Sequence, residues 1–216
     1  MHLPGISGGA AAHLRAIAGS ALVSAIAVVL LVFAFCPSLQ AGNAAENAFD
    51  SIINSVSTKY SMDPLLVKAV IWNESRFMPR ATGAAGETGL MQLRSCAAKD
   101  WADANGKPLP TREELFDPYL NIEVGVWFLA RAISRWDGNS HSYALGLCEY
   151  NAGYSRASVW SVKNAKSESF DIPSSKAKRY VENVKSKYIE YSEEKAATFA
   201  RNLQIDLGML SLRAMQ

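Results

Sequence analysis

The stretch Asp63-Pro64-Leu65-Leu66-Val67-Lys68-Ala69-Val70-Ile71-Trp72-Asn73-Glu74-Ser75 decides the fold class. Asp before Pro supplies an N-cap followed by a residue whose φ is already helical, so a helix starts at Pro64. From Leu65 to Trp72 only Lys68 is charged. A helix that is apolar on nearly every side belongs in the centre of a domain. Spacings of four place Leu66, Val70 and Glu74 on one row, so an acid continues an apolar stripe. Burial disfavours the charged form of a carboxyl and raises its pKa, which is what a general acid needs at neutral pH. Glu74 is therefore the leading candidate for chemistry, and the neighbouring Ser75 reads as a local structural hydroxyl rather than a nucleophile.

Outward from this helix, every periodic segment reads as helix and none alternates as a strand would, so the fold class is mainly α. Glu46 to Lys59 places Phe49, Ile52, Ile53 and Val56 on one stripe. Phe77 to Thr88 is a Gly-, Pro- and Ala-rich loop. Gly89-Leu90-Met91-Gln92-Leu93 is expected to open a helix reaching about Ala104. Asp117-Pro118 repeats the cap-plus-Pro signal and starts a helix carrying Ile122, Val126, Leu129, Ala130 and Ile133, ending at Gly138. Ser142 is expected to cap a shorter helix into Tyr150-Asn151-Ala152-Gly153. Ser155 to Pro173 has weak periodicity, and Ser174 begins a charged helix to about Tyr191.

The chain has 216 residues, 49% hydrophobic and 19% charged, with 22 Lys+Arg against 20 Asp+Glu and a net charge of +2. No long basic run accompanies that balance, so nucleic-acid binding is not expected. Between Arg15 and Glu46 no residue is charged, and Ala16 to Phe35 is a continuous apolar run. A positive flank, an apolar centre and the small, polar stretch Pro37 to Ala45 make an export signal; the run is also long enough for an uncleaved membrane anchor. Phe35 before Cys36 is too bulky for a lipoprotein signal. The expected organisation is residues 1–45 as signal peptide or N-terminal membrane anchor, 46–191 as the catalytic domain and 192–216 as a helical tail. The tail carries Phe199, Leu203, Leu207, Leu210 and Leu212, which face a partner or pack on the parent domain. The location is then periplasmic, with membrane contact only through the first segment.

Two further motifs could serve a site. In Gly89-Leu90-Met91-Gln92, glycine lets backbone approach a ligand and Gln92 offers a donor and an acceptor. Tyr150 and Asn151 suit a sugar, whose ring faces stack on aromatics while its hydroxyls and amides take hydrogen bonds. Each motif also reads as ordinary packing or capping when seen alone. The histidines are His2, His13 and His141, which leaves no material for a His-based metal site or a Ser-His-Asp triad, and neither metal nor cofactor is expected. Loss of the export segment would remove Cys36 and leave Cys96 and Cys148 in an oxidising compartment, as a disulfide or as two buried thiols.

In the order Glu74-Ser75, Gly89-Leu90-Met91-Gln92, Tyr150-Asn151-Ala152-Gly153 and Tyr180-Val181, the chain resembles the SLT-type lytic transglycosylases, peptidoglycan-cleaving bacterial relatives of goose-type lysozyme. The connecting text agrees: Asp63-Pro64-Leu65-Leu66, Asp117-Pro118 with Asn121-Ile122 and Gly125, and Arg179-Tyr180-Val181. The resemblance spans about Asn54 to Tyr188. It implies a lysozyme-like domain with one catalytic acid and a cleft for alternating N-acetylmuramic acid and N-acetylglucosamine. Glu74 would protonate the glycosidic oxygen and then help the muramic C6 hydroxyl close on C1. Met91, Gln92, Tyr150 and Asn151 would line the cleft, with Tyr180 near the acid.

Three departures stand out against that family. Gly83 replaces the Ser usual nine residues after the Glu, so the hydroxyl that orients the substrate acetamido group is missing or comes from Thr82. Glu87 stands where a small residue is usual, and Glu149 where Ala is common. Either acid could change the reaction outcome or be merely solvated. The leading expectation is a lytic transglycosylase leaving 1,6-anhydromuramic ends, with Glu87→Ala keeping most turnover. A lysozyme-like hydrolase would use Glu87 as a second carboxylate. A third possibility is a peptidoglycan-engaging component of a secretion, conjugation or pilus machine.

Overall fold

The computed structural model describes residues 44–164 and 170–214, with side chains up to 206. The expected export segment lies outside them up to residue 43. Residues from Glu46 onward form one compact unit. Among the described residues no helix is long and apolar enough to cross a membrane.

Helix α1 spans Asp50–Lys59 and turns Ile53 and Val56 into the core. Helix α2 spans Pro64–Ser75, and the Asp63 carboxylate accepts from the Leu65 N–H at 2.8 Å, as the Asp-Pro pair predicts. Leu66 through Ile71 are all buried, Lys68 included. Lys68 reaches out from that run to Asp50 and Asn47, each at 2.7 Å, so its charge is matched. The chain leaves α2 through two successive left-handed residues, Arg76 (φ 52°) and Phe77 (φ 59°), starting two positions after the candidate acid.

Helix α3 runs Ser95–Asn105, six residues later than the sequence predicts. Gly89 to Leu93 instead form a closed turn, with reciprocal 3.0 Å bonds between the backbones of Thr88 and Leu93 and left-handed conformations at Gly89 (φ 78°) and Gln92 (φ 47°). Side-chain competition explains the difference. Buried Asn121 takes the Met91 N–H at 2.8 Å and donates to the Thr88 and Leu115 carbonyls at 3.0 and 2.6 Å, capturing backbone groups a helix would have used.

A 3₁₀ turn at Glu114–Phe116 leads into α4, Pro118–Ser134, whose Asp117 cap accepts from the Leu120 N–H at 2.9 Å. α4 stops at Ser134, and turns carry the chain on to Gly138. α5 spans Ser142–Ala152; Ser142 is its first helical residue and His141 holds the cap position. α6, Tyr154–Asn164, occupies part of the segment with weak periodicity. α7 runs Ser175–Ala214 without a break at Tyr191, and the Ser174 hydroxyl accepts from the Ala177 N–H at 3.3 Å.

The fold is mainly α, and among the described residues the only β pairing is isolated bridges of the loop, Thr82 with Thr88 and Thr88 with Leu93. α2 packs against α1 and α7, while α4 packs against α1, α3 and α5. α5 in turn touches α6 and α7. Glycine sets the closest approaches: a Cβ on Gly146 would lie 2.8 Å from the Ile133 Cα, and one on Gly125 would strike Met91. The catalytic-helix candidate α2 is thus clamped between the two ends of the domain, with its C-terminus at the surface.

Candidate active site

Glu74, one residue before the end of α2, lines a cleft of about 450 Å³. Its walls include Asn73 and Glu74 on α2; Glu87, Gln92 and Arg94 in the loop; Tyr150 and Asn151 at the end of α5; and Lys176 and Tyr180 on α7, together with Cys96 of α3, Phe128 of α4 and Arg156 of α6. The Tyr180 hydroxyl donates to Glu74 Oε1 at 2.8 Å. Burial raises the Glu74 carboxyl, the Tyr180 donation opposes it, and the negative charge of Glu87 adds to the rise. The outcome is a pKa of about 7. Tyr180 itself is held well above the usual phenol range by burial and by Glu74, so it remains a donor.

The cleft brings together Glu74, Gln92, Tyr150, Asn151 and Tyr180, as expected, and also Glu87. Tyr150 donates its hydroxyl to the Met91 carbonyl at 2.8 Å and sets its ring edge-on to Phe128, with centroids 5.7 Å apart. That pair ties the end of α5 to the loop. Gln92 donates one amide N–H to the Gly89 carbonyl at 2.9 Å and keeps its oxygen for the cleft. Glu87 is held below the usual carboxylate range by backbone N–H groups, its own and that of Ala85, the latter donating at 2.9 Å. The site thus contains one acid that keeps its proton near neutrality and one that does not.

Several expected contributors take other parts. The Met91 side chain is fully buried against Gly125 and belongs to the core; only its carbonyl serves the site. Ser75 is buried and its hydroxyl donates to the Ile71 carbonyl at 3.3 Å. Thr82 is exposed, accepts from Arg112 at 3.3 Å and is absent from the cleft walls, so it does not replace the missing Ser. Glu149 is neither solvated nor free to react: it is buried, paired with Arg135 at 3.2 Å and accepting from the Trp136 N–H at 3.0 Å. The Cys96–Cys148 disulfide is not formed. Cys96 is exposed on the first turn of α3, while Cys148 packs with Ala157, Trp160, Ile172 and Ala177, where burial pushes its thiol up to about 12.

Sequence reasoning missed Asn73, Phe128, Arg94, Arg156 and Lys176 as cleft residues. Asn73 adjoins Glu74 and could have been inferred from it; the three cations carry no local signal. No group of three or more His, Cys, Asp or Glu side chains that could hold a metal occurs among the described residues.

A helical domain around a central apolar helix, with an acid whose pKa is raised to about 7 at the wall of a cleft, is the arrangement of the lysozyme-like class. Solved structures agree. The lytic transglycosylase Slt of Pseudomonas aeruginosa, crystallised as an inactive mutant, superposes with a TM-score of 0.63 at 29% identity, covering 70% of this chain and 25% of that one. The 70 kDa soluble lytic transglycosylase of Escherichia coli gives 0.60 at 23% identity over 68% and 25%, a likeness of fold. The chain belongs to the transglycosylase SLT domain family, whose model matches residues 51–173. Membrane-bound lytic murein transglycosylase C of Klebsiella pneumoniae is 41% identical over 109 residues, 47% of this chain and 30% of that protein. Its Cronobacter sakazakii counterpart is 36% identical over the same shares. The match thus spans under a third of those relatives.

Proposed function

We propose that the chain is a peptidoglycan lytic transglycosylase that cuts the β-1,4 bond between N-acetylmuramic acid and N-acetylglucosamine. Glu74 gives its proton to the glycosidic oxygen as the C1–O bond breaks. The muramic C6 hydroxyl oxygen then bonds to C1 and returns its proton to the Glu74 carboxylate, so no water is consumed and a 1,6-anhydromuramic end results. Gln92, Tyr150 and Asn151 hold the sugars, and Tyr180 holds the acid. One observation carries this reading: a carboxyl whose pKa burial raises to about 7, positioned by a 2.8 Å tyrosine donor at the wall of the cleft. The names of the relatives agree with it.

Export to the periplasm, by a cleaved signal or with the first segment kept as an anchor, follows from the substrate's location and from the apolar run before Pro37. A secretion, conjugation or pilus machine is the partner proposed for the far part of α7, where Phe199, Leu203 and Ile205 are exposed. Glu87, an ionised carboxylate in the same cleft, favours a hydrolase as the second reading, since hydrolysis generally uses two acids. Mass spectrometry of muropeptides released from purified sacculi separates the two. Anhydro ends that persist in Glu87→Ala support the transglycosylase; reducing ends, heavier by one water and lost in Glu87→Ala, would make it a hydrolase. Glu74→Gln keeps the shape of the side chain but cannot give up a proton, and should lower cleavage about 10²- to 10⁴-fold.

A further inference from the structure

Gly83 and Glu87 face each other across the tight turn of the loop, where the Gly83 N–H donates to the Glu87 carbonyl at 2.9 Å. Gly83 is not glycine for the sake of its backbone, because its φ lies outside the left-handed region. It is glycine for the sake of space. A Cβ at residue 83 would stand 2.9 Å from both the Glu87 Cβ and Gln92 Oε1, and would collide with Glu87 Oε2. The Glu87 side chain has folded back over the turn, pinned by the Ala85 N–H, and fills the volume that a side chain at 83 would take.

Two acceptors therefore converge over a bare Cα at the cleft wall: the Glu87 carboxylate and the Gln92 amide oxygen. Gln92 turns its oxygen rather than its amide nitrogen to this space, and one N–H of that nitrogen is engaged with the Gly89 carbonyl. The charged and titratable groups around Glu74 are Glu87 from the loop, Tyr150 from α5, and Lys176 and Tyr180 from α7; Arg94 and Lys176 act on Glu87 in turn. The Ala85 N–H meets one Glu87 oxygen and Arg94 and Lys176 act on the carboxylate as charges, but no side chain among the described residues hydrogen-bonds to it; a sugar offers hydroxyl and amide N–H groups.

We propose that Glu87 is a substrate-binding residue of this chain, its carboxylate seated in the space left by Gly83 and accepting a hydroxyl or amide N–H of the sugar bound beside Glu74. Gly83 and Glu87 are then one coupled unit rather than two separate departures. The proposal rests on the glycan-cleaving reading of the Glu74 cleft, but the coupling can be read without activity.

The test is a cycle of Gly83→Ser, Glu87→Ala and the double variant in the full chain. Steady-state cleavage of soluble, uncross-linked peptidoglycan strands and thermal melting are measured for each. Glu87→Ala should raise KM about tenfold with kcat changed less than about threefold, and should leave the fold intact. Gly83→Ser alone should lower both the melting temperature and kcat/KM, because its side chain evicts the carboxylate. In the double variant the hydroxyl enters emptied space, so the melting temperature should return toward wild type and KM should fall below that of Glu87→Ala, a non-additive result. An unchanged KM in Glu87→Ala, or additive effects of the two single variants on melting, would overturn the proposal. Retained cleavage by Glu74→Gln would overturn the glycan-cleaving reading beneath it, while the melting cycle would still report on the coupling.

Discussion

Glu74 is an acid whose proton affinity comes from competition between burial, which raises it, and Tyr180, which lowers it. If cleavage needs the protonated form, the rate should hold below pH 7 and decline as pH rises through about 7. Tyr180→Phe removes the opposing donor, so this alkaline limb should move to higher pH in a pH–rate profile; a limb that stays in place would separate Tyr180 from the acid. The same shift bears on stability. A carboxyl whose folded pKa is raised binds more protons in the native than in the unfolded state between its two pKa values. Native stability therefore falls as pH rises from about 4.5 to about 7. Glu74→Gln escapes that loss and should melt above wild type at pH 8, by on the order of 1–2 kcal/mol once the acid's partial exposure is allowed for, with the difference vanishing near pH 4. Glu74 was legible in the sequence because it continues the row of Leu66 and Val70. Its partner was placed near it only through the family resemblance, since nothing local links residues 106 positions apart. Gly83 and Glu87 were legible as oddities, but their exchange of space depends on a turn that only coordinates reveal.

At the level of single elements, the Asp-Pro caps of α2 and α4 were readable because capping is decided within a few residues. The turn at Gly89 to Leu93 was misread because its apolar residues do serve the core, as a helix face would, while its backbone answers to Asn121, about 30 residues away. α6 left a weak pattern because it buries only Ala157, Trp160 and Asn164 and exposes Val159 and Val162. Asn121 is where this level meets function, since its side chain alone holds the Met91 N–H and bridges the Thr88 and Leu115 carbonyls. Asn121→Ala should cost about 2–4 kcal/mol by chemical denaturation, because it strands buried backbone groups without water. Cleavage should drop further than the folded fraction does, as Gln92 and Tyr150 both take their positions from that turn. Gly146→Ala makes the complementary test of packing: its methyl meets the backbone of Ile133, which cannot turn aside, and about 1–3 kcal/mol of stability should be lost with the pH–rate profile unmoved.

Across the whole molecule, α7 joins regions of unlike stability. Its first half buries Ala177, Tyr180, Val184 and Tyr191, and the Tyr191 hydroxyl reaches Glu46 at 2.6 Å. Beyond Ser192 nearly every described side chain is exposed, including Phe199 at 69%. Removing residues 200–216 should accordingly leave the melting temperature within about 2 °C and cleavage of purified sacculi intact, because the side chains described there, 200 to 206, are all exposed and such a stretch adds little to global stability. A large fall in melting temperature would show that this end is packed on the domain. The bond from Tyr180 to Glu74 joins the last helix of the domain to its second. A ribosome delivers these two helices far apart in time. Until α7 has arrived and docked on α2, Glu74 has neither its tyrosine nor a complete wall around it. On the glycan-cleaving reading, a chain that stops before α7 would lack both the hydrogen-bond partner of its acid and one wall of its cleft.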